Sequence, residues 1–236
     1  VKVLGMFPKV GEDVLIPYEW IEIANQKWLE HGPHLIHGDE KKNRLGVDVA
    51  GMGRDESVLC HRYGKFVHKF EGYQAGGKAD HMHVAGMVAK ELAKRGTKAF
   101  IDTIGEGAGV YSRLIEQGYN NAFSCKFSEG TEGLTDVTGE YEFANMRAYL
   151  HWAVRDWLNP ANKTGAMLPP NDKFLEEATE IKWKFQSNGK IIIEPKDEIV
   201  KRIGRSTDYF DPLANTFYPH DSGFITDEQQ IINDFR

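Results

Sequence analysis

Cysteine is scarce in this 236-residue chain: only Cys60 and Cys125 occur, too few for a disulfide framework and without the pairwise spacing of a metal site. Two thiols of that kind suit a reducing compartment. Long apolar runs are also missing. Segments such as IPYEWI and AFIDTI are strand-sized, so none is expected to span a bilayer, and no signal-peptide pattern is read at the start. A basic excess is absent as well: 29 Lys and Arg stand against 35 Asp and Glu, for a net charge of -6. That balance argues against a protein that embraces nucleic acid with its whole surface. The bias of a disordered chain is lacking too, since 41% of residues are hydrophobic, enough for one sizeable α/β domain with appendages.

The first forty residues show no sustained period. They read as an extended arm and a short helix from about Tyr18 to Leu29, more linker than core, and the main domain is expected over residues 41–220 with a tail at 221–236. Within the domain, RLGVDVA at Arg44 to Ala50 is the first convincing strand. Two further strands, at Ser57 to Tyr63 and Lys65 to Glu71, are joined by a short turn and therefore antiparallel. A helix from His81 to Arg95, capped by Asp80, leads into a strand at Lys98 to Ile104, a helix at Gly109 to Gln117 and a strand at Ala122 to Phe127, a series that implies parallel pairing. Ser128 to Gly139 reads as loop. Helical spacing of apolar residues predicts a long helix over Glu140 to Leu158. The Asn-Gly turn between IKWKFQ and KIIIE predicts a hairpin, followed by short helices at Lys196 to Ile203 and Pro212 to Phe217.

Three carboxylates stand in revealing places. Asp48 lies in GVDVA and Asp102 in FIDTI, each flanked by apolar residues in a segment that reads as a buried strand. Desolvating one ionised carboxylate is costly, and two in neighbouring strands call for a neutralising cation. Asp211 is the third, read as the N-cap of a helix that begins at Pro212, with Asp208 in the same turn. Oxygen donors of this kind suit Mg²⁺ or Mn²⁺ rather than zinc. Glu106, four residues beyond Asp102, can hold a water or steady a ligand; Asp55 can steady the loop after Asp48. Seven basic residues (Lys182, Lys184, Lys190, Lys196, Lys201, Arg202, Arg205) against three acidic ones lead into the acidic turn, where phosphate-binding cations would be useful.

A strand aspartate followed by two antiparallel strands, a second aspartate on the next parallel strand and a late acidic turn before a helix make up the ribonuclease H-like plan. It predicts a mixed five-stranded sheet with helices on both faces, plus an auxiliary hairpin. GVDVAGMGRDESV, FIDTIGEGAGV, NMRAYLHWAVRDWL and KDEIVKRIGRSTDYFDPLANTF closely resemble the nuclease domain of tailed-bacteriophage large terminase subunits, and FPKVGEDVLIPYEWIE resembles the linker that leaves their ATPase motor. The likeness covers roughly residues 1–220. It implies an endonuclease that cuts double-stranded DNA concatemers during genome packaging, in the cytoplasm of an infected bacterium, with an ATPase motor domain, a small terminase subunit and a portal as partners. It further implies two ions, with Asp48 bridging both, Asp102 on the leaving-group ion and Asp211 on the water-activating ion, Asp208 being the alternative to Asp211. Two departures from the family's pattern bear on that turn: Thr207 where proline is common, and Pro212 where alanine is usual.

Rival readings have specific weaknesses. GYQAGGK resembles a phosphate loop, but Ala79 stands where a Ser or Thr hydroxyl would hold Mg²⁺, so no nucleotide site is expected. An actin-like phosphotransferase also uses a GxDxG-like strand, yet needs two such domains and a second phosphate loop. A non-catalytic DNA-binding or assembly module has no need of three carboxylates. A Holliday-junction resolvase or transposase shares the chemistry, and only the N-terminal linker tilts the choice. The groups His31, His34, His37 and Asp80, His81, His83 are read as structural.

Overall fold

The computed structural model describes residues 13–32, 43–51, 56–76 and 80–220. Five strands form one mixed sheet in the order β3-β2-β1-β4-β5: β1 (Asn43–Asp48), β2 (Ser57–Tyr63), β3 (Phe66–Tyr73), β4 (Lys98–Asp102) and β5 (Ala122–Cys125). The first three pair antiparallel, while β4 runs parallel to both β1 and β5. Before the sheet lies α1 (Tyr18–His31); after it come α2 (His81–Leu92), α3 (Gly107–Glu116), α4 (Met146–Leu158), α5 (Asp172–Glu180), α6 (Lys196–Ile203) and α7 (Phe210–Asn215). A separate hairpin pairs β6 (Trp183–Phe185) with β7 (Ile191–Ile193). This is the ribonuclease H-like architecture, with its added hairpin, that the order of motifs predicts.

Alternation along the central strands sorts the core into two layers. Leu45 and Val47 of β1 join Ile101 of β4 in a cluster with Val84 and Val88 of α2 and Val110 and Leu114 of α3. On the other side, Val58 and Cys60 of β2 pack with Leu150, Val154 and Trp157 of α4 and with Phe210 and Leu213 of α7. Gly46 faces that second layer, where an added Cβ would sit 1.7 Å from the Pro212 carbonyl oxygen. Only glycine lets α7 lie this close to β1. Gly107 plays the same part for α3, whose first turn presses on the Asp102 carbonyl.

The N-terminal segment expected to be linker contributes to the core instead. Leu15, Ile16, Ile21 and Ala24 are buried in the second layer, and Trp28 donates to the Val67 carbonyl at 2.8 Å. The long helix begins later than expected. α4 starts at Met146, because Asn145 accepts the Ala148 N–H and caps it there, while residues 140–145 turn aside and Phe143 bridges to Ile191. α5 was not foreseen. It is capped by Asn171, which accepts from the Phe174 N–H.

Candidate active site

The parallel register pairs Val47 with Ile101, so Asp48 and Asp102, each one residue further on, end neighbouring strands side by side. Both lie at even positions with Gly46 and Phe100, facing α7 rather than α2 and α3. Asp211 comes from the first turn of α7, behind Gly46. All three line one cavity of about 1020 Å³, together with Asp208, Glu106, Arg147, Lys182, Lys184 and Lys196.

Electrostatics separates these carboxylates. Burial, with repulsion from Asp211, Asp208 and Asp102 outweighing help from Lys196, pushes the Asp48 carboxyl up to about 8. Burial likewise pushes Asp102 up to about 6, although its Oδ1 accepts the Ile104 N–H at 2.9 Å. Asp211 behaves in the opposite way. It is 1% exposed, yet its carboxyl is held well below the usual range because Lys196 stands against it and His151 and Arg147 add to the effect. Lys196 Nζ donates to Asp211 Oδ2 at 2.9 Å, the Thr207 hydroxyl donates to the same oxygen at 2.7 Å, and His151 Nε2 lies 3.2 Å from Oδ1. Thus Thr207, one of the two departures from the terminase pattern, supplies a hydroxyl that proline could not.

Asp211 does not cap its helix. α7 begins at Phe210, and the capping is done from another element: Glu177 of α5 accepts the N–H groups of Tyr209 at 2.9 Å and Phe210 at 2.7 Å. Pro212 is tolerated inside the first turn, where its missing N–H would have had no partner within the helix. Asp208 is also held rather than free, accepting the Glu56 N–H at 3.1 Å.

As placed, no three His, Cys, Asp or Glu side chains among the described residues form a ready-made metal-ligating group. The donor chemistry nevertheless fits a hard divalent cation: oxygen donors meet in one cavity, and in two of them, Asp48 and Asp102, burial and repulsion from Asp211 disfavour the charged form. Lys196 is the cation that sits among them here.

No protein-family model matches the chain, and no curated protein does either. Among solved structures, the chain is similar to the nuclease domain of the large terminase subunit gp2 of bacterial virus Sf6, at 20% identity and a TM-score of 0.66, covering 88% of this chain and 100% of that one. The fold is that of a phage large-terminase nuclease domain. A variant of the Sf6 domain with manganese and beta-thujaplicinol matches at 21% identity and a TM-score of 0.66, again over 88% of this chain and 100% of that one. A third Sf6 structure, with calcium, matches at 20% identity and a TM-score of 0.65 over 87% of this chain and 100% of that one.

Around this terminase-type sheet the remaining predicted residues take varied positions. Glu106 reaches the cavity and pairs with His81, Nε2 to Oε2 2.7 Å. Asp55, His34, His37, Gly77 and Lys78 of the GYQAGGK segment and the Ala79 that follows it lie outside the described residues. His31 pairs with Glu30, His83 stacks on Tyr73, and Asp80 caps α2. Lys182 and Lys184 line the cavity, with Lys182 also paired to Asp13 at 3.0 Å. The other cations are engaged within the chain: Lys190 with Glu142, Lys201 with Glu198, Arg202 with Glu194 and Glu180, and Arg205 with Glu176 and Glu177.

Sequence reasoning overlooked Glu177, His151 and Arg147. The last two sit four apart on one face of α4, and two polar residues at that spacing beside an apolar stripe were the available signal.

Proposed function

We propose that the chain is the nuclease domain of a tailed-phage large terminase subunit, a metal-dependent endonuclease that cuts double-stranded DNA concatemers by two-metal-ion hydrolysis. The observation that carries this reading is the meeting of Asp48, Asp102 and Asp211 in one cavity at adjoining ends of β1, β4 and α7. Similarity to terminase nucleases solved with manganese or calcium supports it.

Asp48 and Asp102 would hold Mg²⁺ or Mn²⁺ with Asp211, and Asp208 is the neighbouring fourth carboxylate. When bound, the two ions supply activation of the attacking water and stabilisation of the leaving 3′ oxygen. The chain's own residues prepare for that. Asp48, whose carboxyl is pushed up to about 8, would give up its proton to hold a cation, while Thr207 and His151 keep Asp211 aimed. Lys196 offsets the Asp211 charge while the carboxylates have no metal partner. Glu106 steadies the strand exit through His81, and Asp55 is assigned to the loop after Asp48.

DNA would pass along the cavity mouth, with Lys182 and Lys184 as the nearest phosphate contacts. Lys190, Lys196, Lys201, Arg202 and Arg205 would extend the basic field around it. In this reading residues 1–40 lead out of an ATPase motor and add α1 to the nuclease core, 41–220 form the rest of the nuclease domain and 221–236 a tail. The small subunit and portal complete the packaging machine in the host cytoplasm.

The test is incubation of the purified chain with linear duplex, supercoiled plasmid and a four-way junction in Mg²⁺, Mn²⁺ or EDTA. Metal-dependent cutting of plain duplex is expected. Cutting confined to the junction would favour a resolvase, and no cutting under any condition would favour a non-catalytic module.

A further inference from the structure

Arg147 enters the cavity from α4, one turn before His151. Its Nη1 donates to the Glu194 carbonyl at 2.5 Å, whereas its Nη2 is buried with no hydrogen-bond partner. Among the described residues no carboxylate lies within ion-pair distance of this guanidinium, although Asp211, Glu194 and Asp102 are near enough to favour its charge. The arginines of the basic segment are different: Arg202 and Arg205 each hold two glutamates.

A permanently charged fork, buried and left with an open donor, is costly unless a partner completes it. Of the acceptors that line the cavity, Asp48, Asp102, Asp208 and Asp211 need cations themselves, while Glu194 is held by Arg202, Glu198 by Lys201 and Glu106 by His81. The missing partner is therefore an anion that enters from outside and carries oxygens suited to a planar fork, which describes a phosphate. Lys196 is committed to Asp211, and Lys184 stands exposed on the hairpin. Arg147 is the cavity cation fixed by burial and by a carbonyl tether.

We propose that Arg147 is a phosphate-contacting residue whose free Nη2 takes a non-bridging oxygen of the DNA phosphodiester lodged between Asp48, Asp102 and Asp211. The proposal rests on the nuclease reading above. In the hydrolysis the water oxygen joins phosphorus, the P–O3′ bond breaks and one water proton ends on O3′; Arg147 exchanges no proton. It stabilises the charge that builds on the equatorial oxygens, an interaction stronger in the transition state than before it.

The test uses the whole chain with Arg147→Met, which keeps an unbranched stem, and Arg147→Lys, which keeps the charge without the fork. Cleavage of linear duplex in Mg²⁺ is measured as kcat and KM. Binding of a short fluorescent duplex is measured against salt in a non-cutting Asp48→Asn background. Arg147→Met is expected to lose kcat by about a hundredfold and to flatten the slope of log affinity on log salt by about 0.9. Arg147→Lys should restore the slope but recover kcat only in part.

Thermal melting separates a mere tether to Glu194 from a phosphate contact. Wild-type kcat and slope in Arg147→Met would overturn the proposal, as would loss of folding in both variants, which would make Arg147 a structural residue. Full kcat in Arg147→Lys would also overturn it, because the fork would then be unnecessary. If wild type cuts while Arg147→Met cuts equally well, only this inference fails; if wild type cuts nothing in any metal, the nuclease reading fails and takes the proposal with it.

Discussion

Lys196 and Asp211 stand 2.9 Å apart, Nζ to Oδ2, at the floor of the carboxylate cavity. The lysine comes from the start of α6 and the aspartate from the first turn of α7, so the pair joins the hairpin side of the domain to its central sheet. Asp211 has its charge neutralised within the protein, and Asp48 and Asp102 do not.

That difference predicts unequal roles for the two candidates in the acidic turn. Asp211→Asn should lower stability by about 2 kcal/mol, less than the loss of a fully buried pair because the Lys196 side chain is 40% exposed. Asp208→Asn keeps an acceptor for the Glu56 N–H and should cost less than about 0.5 kcal/mol. Urea unfolding measures both, and cleavage should fall further in Asp211→Asn.

Asp48 carries a pH prediction. A carboxyl that binds its proton more tightly when folded stabilises the chain at low pH and penalises it as pH rises. For Asp48 this window runs from its ordinary value of 3.8 to about 8. Asp48→Asn removes the penalty. Without metal, its melting temperature should exceed wild type by a margin that grows from pH 4 to pH 8, reaching at least about 3 °C, and then levels off. Added Mn²⁺ should erase the margin by stabilising wild type alone. A margin independent of pH would show that Asp48 is not buried against other negative charge.

Gly46 permits the approach of α7 to β1. Gly46→Ala must push the Pro212 carbonyl away, so a loss of about 1–3 kcal/mol is expected, with cleavage falling by at least about tenfold as Asp211 moves from Asp48. Retention of both stability and activity would mean that the packing here is loose.

The basic residues should divide by partner. Lys182→Ala with Lys184→Ala should flatten the salt dependence of duplex binding by about 2 in slope, one unit per lost phosphate contact, and leave melting unchanged. Arg205→Ala should instead cost about 3 kcal/mol, because it strands Glu177, which is 0% exposed and caps α7. The contrast is read from binding isotherms beside thermal melts.

The strand aspartates could be read in advance because burial of an unpaired carboxylate is conspicuous within an apolar run. Sheet order followed from loop lengths and from the alternation of helix and strand. What escaped notice was tertiary. α5 offers only Phe174 and Ala178 as fully buried apolar positions, a weak stripe, and Asn171 before it was its one clear start signal. Missing that helix concealed Glu176, Glu177 and Glu180, the partners of Arg202 and Arg205, so the basic segment looked freer than it is. It also hid the cap of α7, whose start at Phe210 depends on a glutamate some thirty residues upstream and not on Asp211.

The central claim is that cutting of duplex DNA depends on cations held by Asp48. It is tested most directly by the rate at which wild type and Asp48→Asn nick supercoiled plasmid in Mn²⁺, with both proteins shown to be folded by circular dichroism. The amide is nearly isosteric but brings no charge, so the account predicts a fall of at least about a thousandfold, to the level of wild type in EDTA. Equal rates for the two proteins would contradict it.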